Sequence, residues 1–344
     1  MGVLIKFDDF GRTVALSIAN IITIDDGRSM LDASRVCVTG ANGFIGRALC
    51  PYLQNKGYDL IRVVRRVRAR HEVGVGAIGP NTVWAPILKE CHAVIHLAAR
   101  VHVMYEKATD PLAAFRIVNT EGTLQLARQA ALAGVKRFLF VSSAKVNGEH
   151  GFFSTPDEPS PKDAYAISKW EAEQGLHELA AKSGMEVVVL RPPLVYGPDV
   201  KANFLRLLDN IEKGIPLPLG KISNQRSLIF LGNLFDAIRT SLAYQAAAGK
   251  TYFVSDGEDV STPDLIRLLA SSLGKSARLI PVPVALIKKA GQLLRKNQEV
   301  DRLLGSLVIN SSAIQHDLGW RPPFTIQEGI QITVDWYKKR QSNA

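Results

Sequence analysis

The sequence predicts an α/β protein built on a doubly wound parallel sheet, with a smaller, interleaved lobe near the C-terminus. Short apolar strands alternate with helical stretches from Arg35 to Leu190, and a glycine-rich turn follows the first strand. After Pro192-Pro193 the pattern changes to mixed strands and helices separated by prolines, without a linker between two separable units.

The first part of the chain is divided by glycines that end its helices. We predict strands at 35–38, 60–64, 73–78, 93–97, 137–141 and 186–190. Helices are predicted from the glycine turn to residue 53, at 111–133 and at 163–183, and further strands at 227–231 and 251–255. Short strands that alternate with helices are typical of βαβ units, so a parallel sheet covered on both faces is expected.

The turn after the first strand is the most informative motif. Gly40 permits a sharp turn, Gly43 leaves room for a pyrophosphate, and Gly46 lets the next helix pack close to the strand. The free N–H groups and the dipole at the start of that helix favour phosphate. A strand before the glycines and a helix after them predict dinucleotide binding. The expected cofactor contacts are Gly40, Asn42, Gly43, Phe44, Ile45 and Gly46.

The turn after the second strand bears on which dinucleotide binds. An NAD-specific site usually has an acidic residue there, about 20 residues after the glycines, that binds the ribose 2′-hydroxyl. Arg65 and Arg66 occupy that position, and Asp59 lies at the other end of the strand. Guanidinium groups suit a 2′-phosphate, so we expect NADP(H) in preference to NAD(H). The alternative is a solvated basic turn in a protein that uses NAD(H).

The strand at 93–97 supplies further candidates, because ligands bind at the carboxyl edge of a parallel sheet. Leu97, Ala98 and Ala99 lie at its end, where small side chains let a cofactor lie against the backbone. His96 lies within the apolar strand itself and is interpreted as a structural residue.

Ser143 follows the strand at 137–141, and the next helix carries Tyr165 and Lys169. Residues four apart lie on one face of a helix, with about 5–6 Å between their Cβ atoms. A phenol with a pKa near ~10 is a poor base at neutral pH, and a neighbouring ammonium is expected to lower that pKa. With a serine hydroxyl on the substrate oxygen, the three residues form a proton relay suited to carbonyl–alcohol hydride transfer. Tyr165 and Lys169 are also expected to contact the cofactor.

Composition limits the alternatives. A hydrophobic content of 47% over 344 residues is ordinary for a globular protein, and the net charge of +10 suits an anionic small substrate. Nucleic-acid motifs and uncharged apolar runs of transmembrane length are absent from the sequence, so we expect neither a nucleic-acid partner nor membrane insertion. Three cysteines without ligand spacing and scattered histidines predict a reduced, cytoplasmic protein without a metal.

Together these motifs resemble the extended short-chain dehydrogenase/reductases of the NAD-dependent epimerase/dehydratase family, which modify nucleotide sugars. The resemblance covers about residues 34 to 340 and implies an NAD(P)-binding Rossmann fold. The matching segments are 39–46, 96–99, 142–143, Tyr165 with Lys169, 191–198 and 318–322.

The resemblance also implies individual roles. Ser143 and Tyr165 would contact the reacting oxygen, Lys169 would hold the nicotinamide ribose, and Asn119 would lie near the site. The implied substrate contacts are Ser143, Lys145, Asn203 and Arg226. The last two would hold the diphosphate of a UDP-linked sugar. Dehydratases of the family have an Asp-Glu pair after this serine, and Ala144-Lys145 stands there instead, so dehydration is not expected.

Two enzymatic functions remain open. The main prediction is hydride transfer to C4 of a UDP-4-keto-6-deoxy-N-acetylhexosamine in surface-polysaccharide biosynthesis, which Arg65 and Arg66 favour. The alternative is a UDP-sugar 4-epimerase with bound NAD. A non-catalytic cofactor-sensing regulator and an enzyme with a steroid-type substrate are weaker alternatives. A homodimer is left open.

We divide the chain into three parts. Residues 1–33 form an extension of unknown role that we expect to be dispensable, 34–196 the dinucleotide-binding domain, and 197–344 mainly the substrate-binding lobe, interleaved with that domain.

Overall fold

A computed structural model describes residues 34–101, 109–155, 157–294 and 297–342. The prediction for the extension 1–33 therefore lies outside the described residues. The strands are β1 (Arg35–Thr39), β2 (Asp59–Val64), β3 (Glu72–Gly74), β4 (Ala93–His96), β5 (Arg137–Val141), β6 (Gly151–Phe153), β7 (Glu186–Arg191), β8 (Leu194–Tyr196), β9 (Arg226–Phe230), β10 (Thr251–Phe253), β11 (Asp259–Val260) and β12 (Leu307–Ile309).

Helices connect and cover these strands. They are α1 (Phe44–Asn55), α2 (Ala85–Leu88), α3 (Pro111–Arg116), α4 (Gly122–Leu132), α5 (Ala164–Ser183), α6 (Ala202–Glu212), α7 (Leu231–Ala243), α8 (Thr262–Leu273), α9 (Val284–Leu293), α10 (Asn297–Leu304), α11 (Ser312–Leu318) and α12 (Ile326–Ser342). Among the described helices, we find none that combines the length and the apolar character needed to cross a bilayer.

The central sheet of the described chain has seven parallel strands in the order β10-β7-β5-β4-β1-β2-β3. The strand order reverses at β1, which pairs with β2 on one side and with β4 on the other. Ligands of doubly wound sheets bind at such a reversal, outside the carboxyl ends of the strands. The predicted fold class is therefore confirmed, and it directs attention to the turns after β1, β2 and β4.

Both faces of this sheet are covered. Alternate residues of a strand point to opposite faces, so Val36 and Val38 join one apolar cluster and Cys37 joins another. The first cluster includes residues of α1 and α7, and the second includes residues of α4 and α5. Cys37, Cys50 and Cys91 are buried free thiols.

The remaining strands form a second, smaller sheet in the order β11-β9-β12-β6, with β8 paired to β9. Its apolar cluster combines Tyr196 and Phe230 with side chains of α6, α8 and α12. The chain after residue 197 also supplies β10, the edge strand of the central sheet, so the two parts of the molecule are interleaved.

Two predicted elements differ from the structure. The helix expected at 111–133 comprises α3 and α4 joined by a π-helical segment, Ile117–Glu121. The strand expected at 73–78 is only Glu72–Gly74, because it pairs with β2 at a register that ends at Val64. Single π-helical turns are rare inserts within α-helices, so a helix prediction from residue spacing does not anticipate Ile117–Glu121.

Candidate active site

The glycine turn joins β1 to α1 and packs against the end of β4. Gly40 has φ of +69°, and a Cβ there would lie 2.9 Å from the backbone nitrogen of Ala98. A Cβ on Gly46 would lie 2.7 Å from the Cα of Ala41. Both positions therefore require glycine, one for its backbone conformation and close contact and the other for close packing of helix on strand.

The start of α1 has the features of a phosphate-binding site. Gly43 is exposed and is the N-cap residue, with no side-chain cap and no acidic residue in the first turn. Its own N–H donates to Gly40 O at 2.9 Å. The first amides of a helix lack intrahelical acceptors, so those at Phe44 and Ile45 are available to an anion. These residues fit the pyrophosphate of a dinucleotide.

The turn after β2 places Arg65 and Arg66 in exposed positions. A cavity of about 360 Å³ lies beside them, and its lining includes different arginines. The lining residues are Ala41, Asn42, Arg47, Arg62, Arg68, His71 and Glu72. Arg62 and Arg68 were not among the predicted ligands, although the density of arginines in and after β2 was a signal.

Arg62 is already held in place on the rim of this cavity. Its Nη1 lies 2.8 Å from His71 Nε2, and its Nη2 donates to Gln54 Oε1. The backbone N–H of Arg68 donates to Glu72 Oε2 at 2.7 Å. A negative group entering the cavity would therefore meet basic side chains and one carboxylate.

His96 is a structural residue in the described fold. It is fully buried, with Nδ1 2.6 Å from Thr39 Oγ1 and Nε2 2.9 Å from Thr123 Oγ1. Burial and, less strongly, the nearby Lys169 charge lower the pKa of His96 to about 3. The histidine therefore stays neutral and connects β1, β4 and α4 beneath the cleft.

The predicted relay residues come together where β5 meets α5. Ser143 caps a short 3₁₀ helix, Ala144–Val146, and its hydroxyl accepts the Lys145 N–H at 3.3 Å. Tyr165 lies in the first turn of α5 and is partly exposed, and the Ser143 side chain is near enough to lower the pKa of its phenol. Lys169 is buried one turn further along, where its Nζ donates to Val141 O at 2.9 Å and lies 4.3 Å from the Phe140 ring centroid.

The expected lowering of the Tyr165 pKa is wrong for the protein alone. Burial and, less strongly, the Asp163 charge raise the pKa of Tyr165 to about 12, against an opposing effect of the Ser143 side chain. Burial also lowers the pKa of Lys169 to about 7, against the attraction of Glu173. The two residues lie one turn apart as predicted, but sequence cannot show that burial dominates the pKa of both groups.

A buried ion pair between Glu173 and Arg191 joins α5 to β7, and it was not predicted from the sequence. Glu173 Oε2 lies 2.5 Å from Arg191 Nη2, and their side chains are 0% and 5% exposed. Ser142 also donates its hydroxyl to Glu173, and Arg191 donates to Asn147 Oδ1 at 2.8 Å. The spacing of four residues from Lys169 to Glu173 was a signal, because it places both on the face that carries Tyr165.

Asn119 lies in the π-helical segment and is buried. Its Nδ2 donates to Ser168 Oγ and to Arg100 O, both at 3.0 Å, and its Oδ1 accepts the Arg100 N–H at 2.8 Å. The side chain thus fastens the chain after Leu97, Ala98 and Ala99 to α5, the helix of Tyr165. This places Asn119 near the relay residues.

Lys145 lies between carboxylates in the described structure. Its Nζ is 2.5 Å from Asp163 Oδ2 and 3.0 Å from Glu149 Oε1. Asp163 is also the N-cap of α5, accepting the Ala166 N–H at 2.8 Å, and Lys145 contributes to lowering the pKa of Asp163. The Lys145 side chain is 30% exposed, so it helps to fix the start of α5 and remains accessible to solvent.

The two expected diphosphate contacts lie in the smaller lobe. Arg226 begins β9, and its Nη1 donates to Arg302 O at 2.6 Å and to Gly305 O at 3.1 Å. Asn203 is exposed in the first turn of α6 and accepts a hydrogen bond from Arg206. We find no group of three or more His, Cys, Asp or Glu residues placed to hold a metal in the described part of the chain.

The doubly wound sheet, the glycine turn and the grouping of Ser143, Tyr165 and Lys169 are features of the short-chain dehydrogenase/reductase type, whose members depend on a nicotinamide dinucleotide. The chain belongs to the NAD dependent epimerase/dehydratase family, whose model matches residues 36–255.

Individual relatives extend this assignment. UDP-glucose 4-epimerase from Vibrio cholerae is 45% identical over 308 residues, which cover 87% of this chain and 94% of the relative. The structure of UDP-glucuronic acid 4-epimerase from Bacillus cereus in complex with NAD has a TM-score of 0.73 and 21% identity, and covers 90% of this chain and 98% of its own. RMD from Pseudomonas aeruginosa, complexed with NADPH, has a TM-score of 0.71 and 24% identity over 90% of this chain and 100% of its own.

Proposed function

We propose that the protein is a UDP-sugar 4-epimerase, the function that the sequence analysis kept as its alternative to a C4 reductase. The observation that carries the proposal is the placement of Ser143, Tyr165 and Lys169 at the carboxyl edge of the sheet, the edge that also carries the glycine turn. The relative from Vibrio cholerae, which bears the name UDP-glucose 4-epimerase and matches over most of both chains, favours this function over the reductase.

The cofactor would be held along the turns after β1 and β4. The amides of Phe44 and Ile45 would bind its pyrophosphate, and Ala98 and Ala99 leave room along the backbone. When bound, the nicotinamide supplies the acceptor and donor of a hydride at the sugar C4. Lys169, buried beneath the cleft, would hold the adjoining ribose.

Tyr165 and Ser143 would handle the proton at the C4 oxygen. The Ser143 hydroxyl, near enough to the phenol to lower its pKa, would orient that oxygen toward Tyr165. Burial favours the neutral phenol, which is the form that donates a proton when a keto group is reduced. Accepting the proton in the opposite direction requires positive charge near the phenol, and Lys169 in its ammonium form is placed on the same helix face to supply it.

The sugar nucleotide would lie between the two parts of the molecule. We propose that Arg226 and Asn203 bind its diphosphate and that Lys145 faces its sugar. Lys145 stands where the family's dehydratases have a carboxylate, and it is held by Asp163 and Glu149. A cation engaged in this way does not replace the acid and base that dehydration needs. A cytoplasmic role in surface-polysaccharide biosynthesis forms part of the proposal.

The C4 reductase remains the second candidate, on the strength of the arginines after β2. Arg65 and Arg66 are exposed, and Arg62 and Arg68 line the neighbouring cavity. Such a surface suits the 2′-phosphate of NADP(H), which a reductase releases after each turnover. Replacing Arg65 and Arg66 by glutamine should then weaken NADPH binding by roughly 10-fold or more for each charged hydrogen bond lost, and leave NADH binding nearly unchanged.

The test begins with the purified full-length protein. Release of its bound nucleotide by denaturation, followed by chromatography, identifies NAD or NADP. Incubation with UDP-glucose or UDP-N-acetylglucosamine, followed by NMR, shows whether the C4 configuration inverts without added cofactor. Inversion with NAD released supports the epimerase. Consumption of NADPH with a UDP-4-keto-6-deoxy-N-acetylhexosamine, and no inversion, would replace it by the reductase.

A further inference from the structure

Helix α9 (Val284–Leu293) is attached to the smaller lobe by only one of its faces. Ile287 packs against the apolar cluster of that lobe. Gly291 lies so close to α10 that a Cβ on it would be 2.7 Å from Val300 Cγ2. Ile287 and Gly291 are four residues apart and therefore mark a single packing face.

The opposite face of α9 is apolar and exposed. Leu286 and Leu293 are 55% and 86% exposed, and Leu294, just beyond the helix, is 65% exposed. Leu286 and Leu293 are seven residues apart, so they lie two turns apart along one line, about 130° around the helix from the packing face. Leucines exposed together on a helix mark an interaction surface, whereas a single exposed leucine needs no explanation.

Basic residues accompany these leucines. Lys288 and Lys289 are both exposed on α9. The sequence between Asp264 and Glu299 contains no Asp or Glu, and its Lys and Arg residues are Arg267, Lys275, Arg278, Lys288, Lys289, Arg295 and Lys296. Within the described part, Lys275 pairs with Glu212 at 3.3 Å and Arg267 with Asp264 at 2.6 Å, and both acids lie outside α9.

We propose that α9 docks the protein on an anionic lipid surface. Leucines on the outward face, with Lys289 about 50° around the helix from them and without acids on the helix, match a helix lying in the plane of a bilayer interface. Lysine stems also follow apolar surface while their ammonium groups reach lipid phosphates. A second copy of the chain fits less well, because a two-fold contact sets a patch against itself and would oppose the lysines of α9 to one another. This binding is peripheral and needs no membrane-crossing helix.

Flotation of the full-length protein with vesicles tests the proposal. Vesicles of phosphatidylglycerol mixed with phosphatidylcholine should carry the protein at low salt, and vesicles of phosphatidylcholine alone should carry much less. Leu286→Gln combined with Leu293→Gln should lower partitioning at least about tenfold, because leucine burial drives the apolar part of binding. Lys288→Gln combined with Lys289→Gln should lower it about fivefold per lysine and reduce its dependence on salt.

Matched controls come from exposed positions elsewhere. Leu132→Gln changes a leucine that is 88% exposed at the end of α4, and Lys182→Gln changes an exposed lysine of α5. Both should bind vesicles like the natural protein, and circular dichroism of every variant should show an unchanged fold.

Two results would overturn the proposal. The first is that the natural protein does not float with anionic vesicles, or that the variant with both leucines replaced floats equally well. The other is a change in oligomeric state, measured by sedimentation, that follows Leu286→Gln and Leu293→Gln while vesicle binding is unchanged. That result would assign the face to contact between copies of this chain.

Discussion

Glu173→Gln is the substitution that tests most directly how α5, the helix of Tyr165 and Lys169, is held in place. The glutamine keeps the length and shape of the side chain and removes its charge. In the natural protein this carboxylate accepts hydrogen bonds from the Arg191 Nε at 3.1 Å and Nη2 at 2.5 Å, and from the Ser142 hydroxyl. The substitution leaves the Arg191 guanidinium, 5% exposed, without its compensating charge.

The expected loss follows from this burial. Removing one partner of a buried ion pair typically costs 3–5 kcal/mol, because the remaining charge stays desolvated. That is a large part of the roughly 5–15 kcal/mol by which a folded protein is stable. The Asn147 oxygen still faces Arg191 but carries no charge, so it replaces little of the attraction. Loss of the Glu173 charge should also lower the pKa of Lys169 further, because Glu173 is the group that raises it.

Urea unfolding followed by circular dichroism measures the loss, and α5 offers a matched control two residues away. Glu171→Gln removes a pair with Arg116 whose side chains are 27% and 43% exposed, so it should cost only about 0–1 kcal/mol. Combining Glu173→Gln with Arg191→Gln should cost less than the sum of the single changes. Equal losses for Glu173→Gln and Glu171→Gln would refute the structural importance of the buried pair.

Three further predictions concern single groups. Tyr165→Phe should lower the turnover of a UDP-sugar by about 10²- to 10⁴-fold while calorimetry shows unchanged cofactor binding, since only the proton donor is lost. Lys169→Met should lower both turnover and cofactor affinity. The folded-state pKa of Lys169 is depressed to about 7, so above that pH the unfolded chain binds the proton more strongly than the folded protein does. The free energy of unfolding of the natural protein should therefore rise relative to that of the variant as pH rises above 7. Burial raises the pKa of Asp256 to about 6, so the folded protein holds this proton more tightly than the unfolded chain does. The free energy of unfolding should therefore fall as pH rises from ~4 to about 6, and urea titrations of Asp256→Asn should lack that fall. Unchanged turnover in the first variant, or parallel pH profiles in the other two, would contradict these assignments.

Local sequence signals were sufficient for the nucleotide-binding half of the fold. Gly40 and Gly46 are each required by contacts within a few residues or across to the next strand of the sheet, and the apolar runs around them reproduce β1 and β4 to within one residue. Arg137–Val141 was predicted with its observed bounds, because a buried central strand is a continuous apolar run with a sharp start and end.

The missed features depend on long-range contacts. The strand at Thr251–Phe253 was identified, but its place at the edge of the central sheet, beside β7, is set by packing across the interleaved lobe. The pairing of Arg191 with Glu173 joins two elements in the finished fold, so each residue alone resembled an ordinary charged position. The pKa of Tyr165 depends in the same way on how deeply its neighbours bury the phenol.

Helix α5 explains why the relay can tolerate these unfavourable desolvations. Its N-terminus is fixed by Asp163, which caps the first turn and is itself held by Lys145. Two turns beyond Tyr165, Glu173 ties the same helix face to β7 through Arg191, and Asn119 fastens the preceding segment to Ser168. Because charged contacts hold the helix on both sides of the phenol, Tyr165 and Lys169 stay at fixed positions although burial disfavours the charge of each. A charged molecule bound beside these two buried groups would shift their pKa values, as the proposed proton exchange at Tyr165 requires.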